Sequence, residues 1–261
     1  MSRRIRLIVA YDGTNYVGWQ LQDNGVSVQQ RLNEAALAIT GEQIQLHGSG
    51  RTDSGVHARA QVAHFDTNAR MPANKFAIAL NMRLPRDIRV LYSEEAPEDF
   101  HARFSAKNKT YRYTVQLGLH ADVFTRTTAL HVHTPVDVAR MQLAAKDAIG
   151  EHDFSAFMSV GSKLTNTVRT ITRSEWTQNG KYLTYDVSAN GFLYNMVRIL
   201  VGTMLEIGSG KLPQDALARA IASGNRDDAG GTAPPHGLCL QRVQYDDFDT
   251  EEILNRNEQS R

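Results

Sequence analysis

The sequence predicts an α+β protein whose elements follow the order β-α-β-β-α-β twice. Three observations support this prediction. Strand-like segments alternate apolar and polar residues, helix-like segments repeat apolar residues every three or four positions, and the order of elements in residues 1–103 returns in residues 104–245.

The first copy opens with a strand over residues 4–12, in which every second residue faces the same side. Ser27 and Gln30 then form a capping box that starts a helix, and Gly41 ends it. The remaining elements are predicted as strands at 43–48 and 60–66, a helix at 72–82 and a strand at 88–94.

The second copy opens with a strand over residues 107–117. Thr134 as N-cap, with Pro135 at the first helical position, starts a helix that runs to about Ile149. Asn179-Gly180 is a strong signal for a hairpin turn. The other elements are predicted as strands at 169–178 and 181–189, helices at 192–208 and 213–224, and a strand at 238–245.

This element order is that of a ferredoxin-like or RRM-like unit, an antiparallel sheet with helices on one face. We therefore predict two tandem half-domains, residues 1–103 and 104–245, with their sheets meeting at a central cleft. Residues 246–261 hold six acidic and two basic side chains. We expect this acidic tail to be poorly ordered or to form a short helix.

The composition excludes several classes of protein. Hydrophobic residues make up 41% of the chain and charged residues 22%, as in globular proteins with a substantial core. A single cysteine, Cys239, excludes an intramolecular disulfide. The N-terminus does not resemble a signal peptide, and the most apolar helix, 192–208, is interrupted by polar residues. These features predict a cytoplasmic protein without a membrane span.

The charge distribution permits a nucleic acid as partner without requiring one. The net charge is +1, with a net of +5 over residues 1–245 and −4 over the tail. Arginine outnumbers lysine 22 to 7, and its planar guanidinium is suited to phosphate. A GC-rich genome is the alternative explanation. Candidates for an RNA-facing surface, with a plain solvated surface as alternative, are Arg3, Arg4, Arg6 and Arg112.

The segment from Gly48 to Ala58 is the strongest candidate for a functional loop. Its glycines let the backbone approach a ligand, and Arg51, Asp53 and His57 supply charge. The alternative is a solvated β-turn stabilised by the Asp53 side chain. No Gly-Lys-Ser/Thr follows, so the loop is not a phosphate-binding P-loop, and no GxGxxG pattern indicates a nucleotide cofactor.

A metal site is not expected. His131 and His133 share one face of a strand, but no set of cysteine, histidine and carboxylate completes a site around them. Cys239 lies in an apolar strand and is expected to be an inert core thiol.

The loop SGRTDSGVHA, residues 49–58, resembles the signature loop of the tRNA pseudouridine synthase A family. Further segments resemble the same family in the same order: YDGTNYVGWQ at 11–20, KTYRY at 109–113, FLYNMVR at 192–198, and TAP with Gly-Leu within 232–238. The chain departs from the family's common residues at Ser54 and Cys239, and we expect neither to disturb the chemistry.

The resemblance implies a cofactor-free isomerase that acts as a homodimer on tRNA. It would convert uridine to pseudouridine at positions 38, 39 and 40 of the anticodon stem-loop, in the numbering of the tRNA. The matching motifs put the catalytic aspartate at Asp53 and a base-stacking tyrosine at Tyr111. Asp53 would bond covalently to C1′ of the ribose or to C6 of the uracil, after the target nucleotide has flipped out of the RNA.

Tyr111, Arg198 and Arg51 are the expected substrate-binding residues. Tyr111 lies on the apolar face of its strand, where a core tyrosine is the alternative to a base-stacking one. Arg198 has no acidic neighbour three or four residues away on its helix, so we expect it to pair with Asp53 across the cleft. A snorkelling arginine is the alternative. Arg51 is expected to contact a phosphate near the flipped nucleotide or to fill the vacated stack, and a plain surface arginine is its alternative.

Two other functions compete with this interpretation. The first is a non-catalytic RNA-binding protein made of two RRM-like sheets, although no segment matches the RRM aromatic signature. The second is a small-molecule enzyme with a nucleotide cofactor, for which the phosphate-binding motifs are missing.

Overall fold

The computed structural model describes residues 2–159 and 165–259. The chain forms two compact units, one of residues 1–107 with 239–261 and the other of residues 108–238. Strand pairing within each unit is mostly antiparallel, and helices accompany both sheets, so the α+β class is confirmed. The finer description as two ferredoxin-like half-domains that meet at a cleft stays a prediction.

The sheet of the first unit is built around its first and third strands. Its strands are β1 (Arg3–Tyr11), β2 (His47–Gly48), β3 (His57–Thr67), β4 (Ile88–Ala96) and β10 (Leu238–Gln244). Strand β1 lies between β4 and β3 and runs antiparallel to both. The other side of β3 pairs with β2 near residue 64 and with β10, in parallel, near residue 57. The loop that contains Asp53 therefore leads into β3 at the point where β10 pairs with β3.

Three helices belong to the first unit: α1 (Val28–Thr40), α2 (Phe76–Asn81) and α6 (Thr250–Gln259). Helix α1 has the predicted ends, since the Ser27 side chain accepts a hydrogen bond from the Gln30 amide and Gly41 adopts a left-handed conformation. Helix α2 is shorter than predicted because its first turn, Ala73–Lys75, is a 3-10 helix.

The predicted strand at 43–48 is present only as the two residues of β2. The reason lies in α1, whose side chains take up the backbone groups of Leu46. The Leu46 amide donates to Asn33 Oδ1 at 3.1 Å, and Gln29 Nε2 donates to the Leu46 carbonyl at 2.7 Å. A neighbouring strand is therefore not needed to satisfy this segment.

The last strand and the acidic tail pack with the first unit, whereas the sequence analysis assigned β10 to the second half-domain. The Tyr245 hydroxyl donates to the Ala102 carbonyl at 2.7 Å. Arg6 is buried between the carboxylates of Glu94 and Asp247, and its guanidinium lies 3.9 Å from the centre of the Phe248 ring. These contacts hold the start of the tail, which continues as α6, in line with the short helix expected as one alternative.

The second unit has a sheet in the order β6-β5-β9-β8-β7. Its strands are β5 (Asn108–Leu117), β6 (Leu130–Val132), β7 (Gly150–Asp153), β8 (Val168–Asn179) and β9 (Tyr182–Ala189). The central pairs β5–β9 and β9–β8 are antiparallel, and β6 runs parallel to β5. The sequence analysis placed His131 and His133 on a strand, but it included neither β6 nor β7 in the predicted order of elements, because segments of three and four residues are too short to show an alternating pattern.

The helices of the second unit are α3 (Val138–Asp147), α4 (Met196–Gly208) and α5 (Ala216–Ser223). Helix α3 starts later than predicted, since Asp137 and not Thr134 caps it, accepting a hydrogen bond from the Arg140 amide. Helix α4 starts at Met196, not at residue 192, because Asn195 has a φ of 61°. Among the described residues, no helix has both the length and the apolar character to cross a bilayer.

Candidate active site

The loop from Gly50 to Val56 is held by the segment that follows β1. The Trp19 amide donates to the Thr52 carbonyl at 3.1 Å, and the Gly55 amide donates to the Tyr16 carbonyl at 3.3 Å. The Thr52 hydroxyl is hydrogen-bonded to the Tyr11 hydroxyl at 2.8 Å, in a buried position. Backbone and side-chain contacts therefore fix the loop on both sides of Asp53.

Gly18 is the residue that permits this close approach. Its φ is +110°, and a Cβ atom there would lie 2.5 Å from the Thr52 carbonyl oxygen. A side chain at this position would push the loop away and strain the backbone. The glycine-rich opening segment thus serves to seat the loop that carries Asp53.

Asp53 is half-buried and opens a tight turn. The Val56 amide donates to the Asp53 carbonyl at 3.1 Å, and Gly55 within the turn has a φ of +76°. The turn is thus closed by the backbone. The backbone that carries the Asp53 side chain is therefore fixed before any substrate arrives, which limits the positions open to its carboxylate.

His57 and Asp12 anchor the far end of the loop, and the sequence analysis did not predict this pair. Nδ1 of the buried His57 lies 3.0 Å from the Gly13 amide nitrogen and 3.1 Å from Asp12 Oδ1: an unprotonated Nδ1 accepts from the amide, and only a protonated Nδ1 donates to the carboxylate. Burial alone would raise the pKa of Asp12, but hydrogen bonds from Thr14 and the nearby His57 outweigh it and lower that pKa. Asp12 two residues before Thr14 is a spacing typical of a local side-chain cap, but no spacing in the sequence signals the contact with His57.

Tyr111 belongs to the second unit and lies on the predicted face of β5. Its side chain is 7% exposed, and Tyr113 and Val115 are buried on the same face. The ring packs edge-to-face against Phe192, with 5.1 Å between ring centroids. Its position is compatible with either a core residue or a stacking platform, so its role stays a prediction.

Arg198 stands in the first turn of α4, in the second unit. Its Nη1 donates to Asn195 Oδ1 at 2.7 Å, and its Nε donates to the Ala233 carbonyl at 2.7 Å. Both contacts set the direction of the guanidinium. The left-handed Asn195, which makes the helix start later than predicted, is thus also a residue that orients Arg198.

The loop that carries Ala233 is itself fixed to α4. The Gly230 amide donates to Thr203 Oγ1 at 2.9 Å, and the Gly231 amide donates to Glu206 Oε1 at 3.0 Å. Gly202 permits the contact, because a Cβ atom there would lie 1.8 Å from the Gly231 carbonyl oxygen. Helix and loop together therefore hold Arg198 from two sides.

Arg51 is exposed, in the first unit, and lines a groove of about 670 Å³. The other arginines proposed for an RNA-facing surface are paired with protein groups. Arg3 bonds to Glu95, Arg4 to Asp66, Arg6 to Glu94 and Asp247, and Arg112 to Asp186. These pairs do not support the suggested surface.

The described residues contain no group of three or more metal-ligating side chains arranged to hold an ion. His131, one half of the rejected metal pair, is hydrogen-bonded through Nε2 to the Gly118 carbonyl at 2.7 Å. Cys239 opposes His57 in the β10–β3 register and is partly exposed, so its expected burial as a core thiol is incomplete.

Comparison with known proteins gives a consistent result. The family profile described as tRNA pseudouridine synthase matches residues 7–105 and 144–246. A protein of Halalkalibacterium halodurans named tRNA pseudouridine synthase A is 48% identical over 241 residues, 92% of each chain. A Clostridium perfringens protein named tRNA pseudouridine synthase A 2 is 46% identical over 243 residues, 93% of this chain and all of that one. A Geobacter sulfurreducens relative with the first of these names is 44% identical over 243 residues.

Proposed function

The chain belongs to the tRNA pseudouridine synthase family, and from that membership we propose that it isomerises uridines 38, 39 and 40 in the anticodon stem-loop of tRNA. The observation that carries the proposal is the turn that contains Asp53, which hydrogen bonds to the segment around Tyr11–Trp19 hold in place. In keeping with the resemblance, we propose that the protein is cytoplasmic, forms a homodimer and needs no cofactor. We also propose that each chain is built from two ferredoxin-like half-domains.

The reaction breaks the N1–C1′ bond of uridine and forms a C5–C1′ bond. The hydrogen at C5 leaves as a proton, and N1 gains one. Asp53 keeps the two fragments in the site by forming a transient covalent bond, either to C1′, which expels uracil through N1, or to C6 of the ring. Both routes require an ionised carboxylate and a site that excludes competing water.

The other residues bind and orient the nucleotide. The target base leaves the stack at a cost of a few kcal/mol, and the Tyr111 ring holds the extruded uracil. The Arg198 guanidinium, oriented by Asn195 and Ala233, serves the Asp53 carboxylate as its counter-charge. Arg51 contacts the phosphate beside the flipped nucleotide or fills its place in the stack.

Tritium release from tRNA transcripts labelled at C5 of uridine tests the function. We expect tritium release from a transcript that has a single uridine within positions 38–40. We expect no release from the same transcript with cytidine in place of that uridine. A non-catalytic RNA-binding protein would bind both transcripts and release tritium from neither. Equal release from both would show that the modified uridine lies elsewhere in the tRNA.

Substitutions of Tyr111 separate a stacking role from a core role. We expect Tyr111→Phe to bind the stem-loop RNA as wild type does, because the ring is kept. Tyr111→Ala should weaken binding by about 1–3 kcal/mol, the contribution of one base–aromatic stack. The measurement is the dissociation constant in a filter-binding titration. Tyr111→Leu, which keeps apolar volume, controls for lost packing: if it binds as tightly as Tyr111→Phe, the tyrosine is a core residue only.

A further inference from the structure

The groove beside Arg51 has a composition that the proposed chemistry leaves unexplained. Two arginines and two histidines line it, and none of its described lining residues is acidic. Most of its other polar lining residues are amides, which donate and accept hydrogen bonds. A groove of this kind favours an anionic ligand that also carries hydrogen-bonding groups.

One wall of the groove offers an exposed aromatic face. Phe104 is 76% exposed, and its ring centroid lies 4.3 Å from that of His101. The guanidinium carbon of Arg103 lies 5.7 Å from the Phe104 ring centroid. A positive charge therefore stands beside a largely exposed aromatic ring, the combination on which single-stranded nucleic acids stack.

Hydrogen bonds to two histidine rings hold the turn that carries Phe104. Nδ1 of His101 accepts hydrogen bonds from the Arg103 amide at 3.1 Å and the Phe104 amide at 3.3 Å. Nδ1 of His64 accepts one from the Ala102 amide at 3.2 Å. Burial lowers the pKa of His64 to about 4 and also lowers the pKa of His101, so both rings are neutral acceptors near neutral pH. The exposed ring thus stands on a defined turn.

A second part of the groove lining presents polar groups from the segment that leads into β2. Ile44 and Leu46 are buried, while the alternate side chains Gln43, Gln45 and His47 are exposed and line the groove. The amides of such side chains can pair with the edges of bases. The two parts of the lining approach each other where the His47 and His101 rings lie 5.7 Å apart.

We propose that this groove binds the unpaired nucleotides next to the target uridine, with one base stacked on Phe104 and phosphates against Arg51 and Arg103. Arg51 lines the groove and is two residues from Asp53 in the same loop, so a nucleotide chain bound at Asp53 can extend toward the groove. The site rests on the proposed function for the identity of the RNA. A free anion would use the arginines but would leave the exposed ring and the amide side chains without a role.

The test is the affinity of a synthetic anticodon stem-loop RNA for variants made in the Asp53→Asn background, where no turnover occurs. We expect Phe104→Ala to weaken binding about 5- to 150-fold, the range given by the loss of one base–aromatic stack. Phe104→Trp should retain wild-type affinity. Arg103→Gln should weaken binding and reduce the slope of log affinity against log salt by about one. Phe124, 90% exposed in the second unit, gives the matched control Phe124→Ala, with affinity unchanged.

Unchanged affinity of Phe104→Ala would overturn the proposal. A second result would also overturn it: Phe104→Ala changes its oligomeric state in a sedimentation experiment while its affinity for RNA stays intact. The groove would then be an interface between copies of the chain. The result of this binding experiment can be distinguished from that of the tritium-release assay. If the wild type releases no tritium but the groove variants lose affinity, the groove stands as an RNA site and the catalytic function fails.

Discussion

Asp53→Asn is expected to reduce tritium release from C5-labelled tRNA by at least about 10⁴-fold. The substitution keeps the shape of the side chain and removes the oxygen nucleophile with its charge, so no covalent bond to C1′ or C6 can form. A loss of this size corresponds to roughly 5.5 kcal/mol in activation free energy. Single-turnover release, with enzyme in excess over RNA, is the measurement, because it reports chemistry and not product release.

The affinity for RNA and the stability of this variant should stay near wild type. Among the contacts described, the loop is held through backbone atoms and the hydroxyls of Thr52 and Ser54, and the substitution removes none of these. Asp215→Asn is a matched control, since Asp215 is exposed and pairs only locally with Arg219 among the contacts described. A variant Asp53→Asn that still isomerises uridine at the wild-type rate would rule out Asp53 as nucleophile.

Arg198→Met is expected to give the second largest loss, about 10²- to 10³-fold in the single-turnover rate. This is the cost of removing one preorganised charged or donor group from an active site. Methionine keeps much of the apolar stem, and the lost hydrogen bonds to Asn195 and Ala233 are expected to cost about 1–3 kcal/mol of unfolding free energy. A denaturant titration separates this structural cost from the catalytic one.

The pH dependence tests the proposed role of Arg198 as a positioning residue. As the proposed counter-charge of Asp53, Arg198 favours the ionised carboxylate, so its loss should move the acidic limb of the pH–rate profile to higher pH. Arg198→Lys should restore that limb partly, because it keeps the charge but not the guanidinium geometry. Arg219→Met, in the exposed pair with Asp215, is the control. Full activity of Arg198→Met with an unshifted profile would remove Arg198 from the mechanism.

Local signals in the sequence predicted the long elements and their ends. The strand β1, the N-cap at Ser27 and the stop at Gly41 depend on residues close together in the chain, and each appears in the structure, although β1 is buried on both faces and the Gln30 side chain bonds to Glu34 and not back to Ser27. Elements decided by distant contacts were wrong or missing. The segment 43–48 is hardly a strand because α1 satisfies Leu46, and α4 starts late because of the left-handed Asn195.

The loop that carries Asp53 was visible in the sequence as a motif, whereas its support was not. The fixed turn depends on Gly18, Tyr16 and Tyr11, which are more than thirty residues away in the chain. The Asp12–His57 pair and the histidines beneath Phe104 likewise join residues that no local pattern links.

The chain on its own thus specified the α+β class, the most regular helices and strands, the family, and Asp53 as the candidate nucleophile. Folding in three dimensions decided how rigidly Asp53 is held, what orients Arg198, and that an exposed ring and two arginines share one groove. The physical reason is range: caps and periodicity act over a few residues, while close packing and hydrogen bonds between separate segments arise only when the chain is folded.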